Sequence, residues 1–89
     1  MAPRFGDMLL EQRRRMGLSI QQVANTIKIR PQIIEYFETG YFASMPPRGY
    51  AQGMISSYAR FLGLNPREVV NAYFDELMTY ERETSQQGG

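Results

Sequence analysis

Leu18-Ser19-Ile20-Gln21-Gln22-Val23-Ala24, continued by Ile27-Lys28-Ile29-Arg30-Pro31 and then by Ile34, Phe37 and Gly40, is the stretch that decides the fold. Ser19 followed three residues later by Gln22 reads as a capping box, in which each side chain satisfies a backbone N–H that the first turn leaves unpaired. The helix it opens runs to about Thr26 and turns Ile20, Val23, Ala24 and Ile27 inward. Ala24 is small, so a following helix can cross closely there, where leucine would hold the pair apart. After the short connection, Pro31 suits a first helical turn because its missing N–H would have been unpaired anyway. This helix presents Ile34 and Phe37 inward and closes before Gly40. A capped helix, a tight connection and a proline-started helix form a helix-turn-helix candidate.

Working outward, Phe5, Met8, Leu9 and Met16 give an apolar stripe of helical period, so a helix is expected from about Arg4 or Gly6 to Arg15, ended at Gly17. On the other side, Tyr41-Phe42-Ala43-Ser44-Met45 reads as a partly apolar loop. Two adjacent aromatics cannot both be buried on one face; Phe42 is expected to plug the base of helices three and four while Tyr41 keeps its hydroxyl in water. Pro46-Pro47 holds off regular helix until Arg48 or Gly49. The fourth helix then covers residues to Leu62, with Ile55, Tyr58, Ala59 and Leu62 inward. Asn65-Pro66 restarts the chain as a cap plus a first-turn proline. The fifth helix extends to Tyr80 or slightly beyond on Val69, Val70, Tyr73, Phe74 and Leu77. The β-branched residues come singly or in pairs at helical spacing, which leaves no strand signal. The expectation is an all-α domain, a five-helix bundle over residues 4–80, with 81–89 as a flexible tail or linker.

Composition narrows the function. With 89 residues, 43% of them hydrophobic, the chain has room for one core. No Cys and no His leaves no thiol nucleophile, imidazole base or zinc cluster. Asp75 and Glu76 are neighbours that diverge on a helix, and Glu35 and Glu38 read as lying on an exposed face with no partner chemistry near them. No glycine run matches a phosphate-binding or dinucleotide fingerprint. The expectation is a binding module, not an enzyme, with no cofactor and no metal. No apolar run approaches the roughly 20 residues of a membrane span, so the chain is expected to be a soluble, cytoplasmic piece. Charge is unevenly spread: residues 1–48 carry seven basic against four acidic side chains (+3), and residues 49–89 three against five (−2).

The block from Leu18 to Gly40 resembles the phage-repressor-like helix-turn-helix superfamily in its spacing. Ala43-Ser44-Met45-Pro46, Tyr50-Ala51-Gln52-Gly53 and Ser57-Tyr58-Ala59-Arg60-Phe61-Leu62-Gly63-Leu64-Asn65-Pro66 sharpen that, and resemble the cytoplasmic domain of the bacterial RodZ/YmfM cell-shape family. The resemblance covers Phe5 to Phe74. It implies a cytoplasmic module of a protein held at the inner face of the cell membrane by a segment absent from this chain, with the bacterial actin homologue MreB as partner through helix four.

Two surfaces therefore compete. On helix three, Gln32 is the one clear base reader and Arg30 a phosphate or guanine contact, whereas Pro31, Ile33 and Glu35 suit a DNA groove poorly. Arg13, Arg14, Arg15 and Lys28 are candidate phosphate contacts, although cations at a helix end also favour its dipole. On helix four, Tyr50 and Met54 form an i,i+4 pair at the positions through which the family contacts its filament partner, with Arg48 and Arg60 as charged flankers and Gly53 between them. Phe61 is expected near the same flank. The adaptor reading is preferred over DNA binding, which is expected to be weak.

Overall fold

The computed structural model describes residues 3–87 as α1 (Phe5–Arg15), α2 (Ile20–Ile27), α3 (Pro31–Thr39), a 3₁₀ turn (Phe42–Ser44), α4 (Arg48–Phe61) and α5 (Pro66–Gln87). The expected all-α, five-helix architecture is what forms. α1 crosses α3 and α5, α2 packs on α3 and α4, and α4 lies along α5.

Local chemistry sets each boundary. Ser19 and Gln22 make both halves of the capping box, with Gln22 N–H donating to Ser19 Oγ at 3.1 Å and Ser19 N–H to Gln22 Oε1 at 2.8 Å. α1 ends in a Schellman turn: Gly17 sits at φ +69°, and the N–H groups of Gly17 and Leu18 return to the carbonyls of Arg14 and Arg13 at 3.0 and 3.1 Å. Lys28 takes the left-handed conformation between α2 and α3 at φ +62°, and its N–H closes on the Ala24 carbonyl at 2.9 Å. That residue turns the chain so that α3 can leave at an angle to α2.

The inward faces of α1 to α5 meet in one core. Phe5, Leu9, Val23, Ile34, Phe37, Ile55, Tyr58, Leu62, Val69 and Tyr73 are all essentially closed to water, each large apolar side chain contributing about 1.5–3 kcal/mol of burial. Ala24 lies at 5% exposure among them, as a close helix crossing requires. The tightest approach is at Gly6, where a β-carbon would stand 2.4 Å from the Glu38 carbonyl oxygen and 2.6 Å from that of Phe37. Only a residue with no side chain lets α1 touch the backbone of α3 here.

Three details differ from the sequence reading. Met16 is exposed, because it follows the last turn of α1 and lies past the end of the buried stripe. Phe42 does plug an edge of the core while Tyr41 stays exposed, but its neighbours belong to α1 and α5: it stacks on Tyr80 at 5.2 Å and approaches Phe5 and Tyr73 at 5.9 and 6.2 Å. α5 stays helical to Gln87 over part of the stretch read as tail or linker; Glu81 to Ser85 are exposed, and residues 88–89 fall outside the described range.

Candidate functional site

On the helix-turn-helix unit, several polar side chains are already committed locally. Gln22 serves the capping box, Gln21 donates to Asn25 at 3.1 Å, and the Thr26 hydroxyl donates to the Gln22 carbonyl at 2.9 Å. Lys28, Arg30 and Gln32 are exposed at the turn and the start of α3, where a reading helix would meet a duplex. Pro31 and Glu35 share that exposed surface, and Ile33 is half-buried. The surface thus carries two cations, one amide and one carboxylate.

The three consecutive arginines do not act together. Arg14 and Arg15 are exposed at the end of α1. Arg13 turns inward: its Nε and Nη2 donate to Glu38 Oε2 and Oε1 at 2.7 and 2.9 Å, and its Nη1 donates to the Leu18 carbonyl at 2.9 Å. Its side chain is 12% exposed and that of Glu38 4%. The Tyr58 hydroxyl of α4 donates to the same Glu38 carboxylate. Arg13 is therefore removed from the candidate phosphate contacts; it binds a carboxylate inside the protein. The expectation that Glu38 lies on an exposed face fails for the same reason. Glu38 is i+4 from Ile34 and next to Phe37, on the face of α3 that meets α1 and α4.

This triad ties three helices through one carboxylate. A bidentate guanidinium plus a hydroxyl satisfies both carboxylate oxygens, which is what an acid at this depth requires. The hydrogen bond to Glu38 raises the Arg13 pKa further above its already high value, and burial followed by the same carboxylate pushes the Tyr58 hydroxyl well above the usual tyrosine range. Arg13 therefore stays charged and Tyr58 neutral at neutral pH, and the network is structural. It fixes α3 against α1 and α4, which sets the pose of Arg30 and Gln32.

α4 has two flanks with different chemistry. Tyr50, Met54 and Phe61, spaced by four and seven, share one of them. Tyr50 is 68% exposed, the highest among the large apolar side chains described, whereas Met54 and Phe61 are half-buried against the core. The outward pair is thus one exposed ring and a methionine already partly used in packing. The flankers lie elsewhere. Arg60 joins Gly49 and Gly53 on the opposite flank, beside the start of α5, and a β-carbon at Gly49 or Gly53 would meet nothing within 4 Å. Arg48, the first residue of α4, is exposed and lies close enough to Tyr73 of α5 for its charge to act on that hydroxyl. Gly53 therefore serves open surface and no neighbouring helix of this chain.

A family model described as a helix-turn-helix domain matches residues 8–69. The chain belongs to this helix-turn-helix family. It is also similar to an uncharacterized protein of Haemophilus influenzae, 33% identical over 72 residues that make up 80% of this chain and 24% of that protein. The chain thus spans about a quarter of the length of that curated relative. Among solved structures, it matches YmfM from Staphylococcus aureus, a proposed DNA-binding membrane protein, with a TM-score of 0.76 and 24% identity over 83% of this chain and 90% of that one. At that identity the likeness is one of fold. Among the described residues, no helix is long and apolar enough to cross a membrane, and no group of acids is placed to hold a metal ion.

Proposed function

We propose that this domain is the adaptor module of a RodZ/YmfM-like protein and docks the bacterial actin homologue MreB through the Tyr50 flank of α4. The observation that carries the reading is the Tyr50 ring, held 68% exposed at the start of a helix whose other aromatics, Tyr58 and Phe61, are wholly and half buried. Aromatic side chains on a rigid helix make effective protein-docking anchors because they bring large contact area with few torsions to freeze. Met54 beside it gives a deformable apolar border. Docking of this kind tethers: one contact is weak, but many copies held on a membrane and facing a polymer raise the effective concentration and make the assembly tight. In that arrangement a parent protein would carry its membrane segment outside this chain and keep the helix-turn-helix domain at the inner face.

DNA binding is the second reading, and the comparisons favour it more directly than they favour a filament partner. The family is a helix-turn-helix family, and the fold relative from Staphylococcus aureus is itself proposed to bind DNA. Arg30, Gln32 and Lys28 are exposed where such contacts would be made, with Arg14 and Arg15 as further cations. Against it stand the inward Arg13 and the carboxylate of Glu35 on the reading surface. With at most four phosphate contacts from Arg14, Arg15, Lys28 and Arg30, affinity would fall roughly a hundredfold between 50 and 200 mM salt, from a slope of about −0.9 per contact.

Fluorescence titration with mixed-sequence duplex DNA and, separately, with purified MreB discriminates the readings. The adaptor reading expects saturable MreB binding that varies little with salt. Tight, sequence-selective duplex binding lost on Gln32→Ala, with no affinity for MreB, would replace it with the DNA reading.

A further inference from the structure

The flank of α4 turned away from Tyr50 forms, with the first turns of α5, an open groove of about 910 Å³. Its α4 wall is Gly49, Gly53, Ser56 and Arg60, and its α5 side brings Arg67 and Phe74. Neither the DNA surface nor the Tyr50 flank includes these residues. The geometry points to this groove as a docking site for an acidic, helical segment of a partner protein.

Charge is the first argument. The lining carries two arginines and no carboxylate, although the second half of the chain is net acidic. A second cleft, between α1, α3 and α5, is the reverse: Asp7, Glu38, Asp75, Glu76 and Glu83 line it against Arg4 alone. Asp75, Glu76 and Glu83 of α5 thus lie on the far side, and the charged residues lining the α4–α5 groove are all positive. A segment rich in Glu or Asp matches that sign, and a basic one is repelled.

Shape is the second. Half-buried Phe74 and nearly closed Val70 give the groove an apolar floor, which a nucleic-acid backbone would not cover but an amphipathic helix would. Space for that helix is open over Gly49 and Gly53, where added β-carbons would find no neighbour within 4 Å. Alanine at either position would favour α4 by up to about 1 kcal/mol over glycine. The bare stretch of α4 lets a partner backbone come close, and Arg60 and Arg67 then reach its carboxylates from either side.

The test uses a fluorescein-labelled peptide of about 20 residues, long enough to hold helix, with Glu on one face and Ala and Leu on the other, titrated with the whole chain. A Lys-for-Glu peptide and a short duplex DNA are the comparison probes. Saturable binding of the acidic peptide is expected, weakened at least tenfold by Arg67→Glu and by Arg60→Glu and unchanged by Tyr50→Ala. Gly53→Leu should also abolish it by filling the groove. That substitution raises helix propensity at an exposed site, so an undiminished helical far-UV spectrum and a melting temperature no lower than the parent's separate blocking from unfolding. Loss of MreB binding on Tyr50→Ala with no acidic-peptide binding would leave the adaptor reading standing and overturn this one. Equal affinity of the charge-reversed variants, preference for the Lys peptide, or an arginine-dependent affinity for duplex DNA alone would also overturn it. So would salt-sensitive dimers of this chain that vanish in Arg67→Glu, since the groove would then be an interface between copies.

Discussion

Replacing Arg13 by alanine tests the claim that this arginine is an internal structural group and not a ligand for DNA. The substitution removes three donors at 2.7–2.9 Å and leaves the Glu38 carboxylate, 4% exposed, with only the Tyr58 hydroxyl. Breaking a buried pair by removing one partner costs about 3–5 kcal/mol, because the remaining charge is desolvated and unpaired. A domain of this size has roughly 5–15 kcal/mol of stability in total, and each kcal/mol moves the midpoint by about 4–8 °C. A fall in melting temperature of at least about 12 °C is therefore expected for Arg13→Ala, read by circular dichroism at pH 7. Arg14→Ala, one residue along at an exposed position, should shift it by less than about 0.5 kcal/mol. The double variant Arg13→Ala/Glu38→Gln should recover part of the loss, since no carboxylate is then stranded. If Arg13→Ala melts within about 1 kcal/mol of the parent while duplex DNA affinity drops, the arginine faces nucleic acid and the reasoning is wrong.

Other consequences are simpler to state. Gly6→Ala should cost more than about 1–3 kcal/mol in urea unfolding, because the contact it creates is with backbone oxygens at 2.4 and 2.6 Å, which no rotamer change relieves; a wild-type midpoint would show that α1 and α3 are not in contact there. Glu76 accepts the Phe5 N–H at 2.7 Å, and burial lifts its carboxyl above the usual carboxylate range despite that hydrogen bond. A raised folded pKa means that the folded state binds a proton more readily than the unfolded one, so this group adds stability as pH falls from neutral through its folded pKa. Glu76→Gln should remove that increment, flattening the stability profile between about pH 7 and pH 4 while retaining an acceptor for Phe5; an unchanged profile would show that Glu76 is not the group responsible.

The helical framework was legible because its signals are local. Ser19 and Gln22, Pro31, Asn65-Pro66 and the glycines at 17, 40 and 63 are chemically suited to only one place in a helix, and the periodic apolar residues filled the core as their spacing implied. What stayed hidden depends on contacts between distant segments. Glu38 occupies an inward slot of α3 by its spacing from Ile34, and that clue was present. Its charge, however, pointed outward until Arg13, 25 residues earlier, was seen to meet it. Gly6 looks like any early-helix glycine in the sequence, and only the crossing with α3 explains it. Of the candidate site, Tyr50 stands out in water as helical spacing required. Met54 is half-buried, and Arg60 belongs to the other flank, since steps of ten residues from Tyr50 and six from Met54 turn it about 80° and 120° round the helix.

Co-sedimentation of this domain with assembled MreB, wild type against Tyr50→Ala, bears most directly on the adaptor reading. An exposed anchor of this kind is worth about 2 kcal/mol, so the variant should need roughly thirtyfold more filament for half-saturation while its melting curve stays unchanged. Equal pelleting of the two proteins, or no pelleting of either at concentrations where duplex DNA is saturably bound, would contradict it.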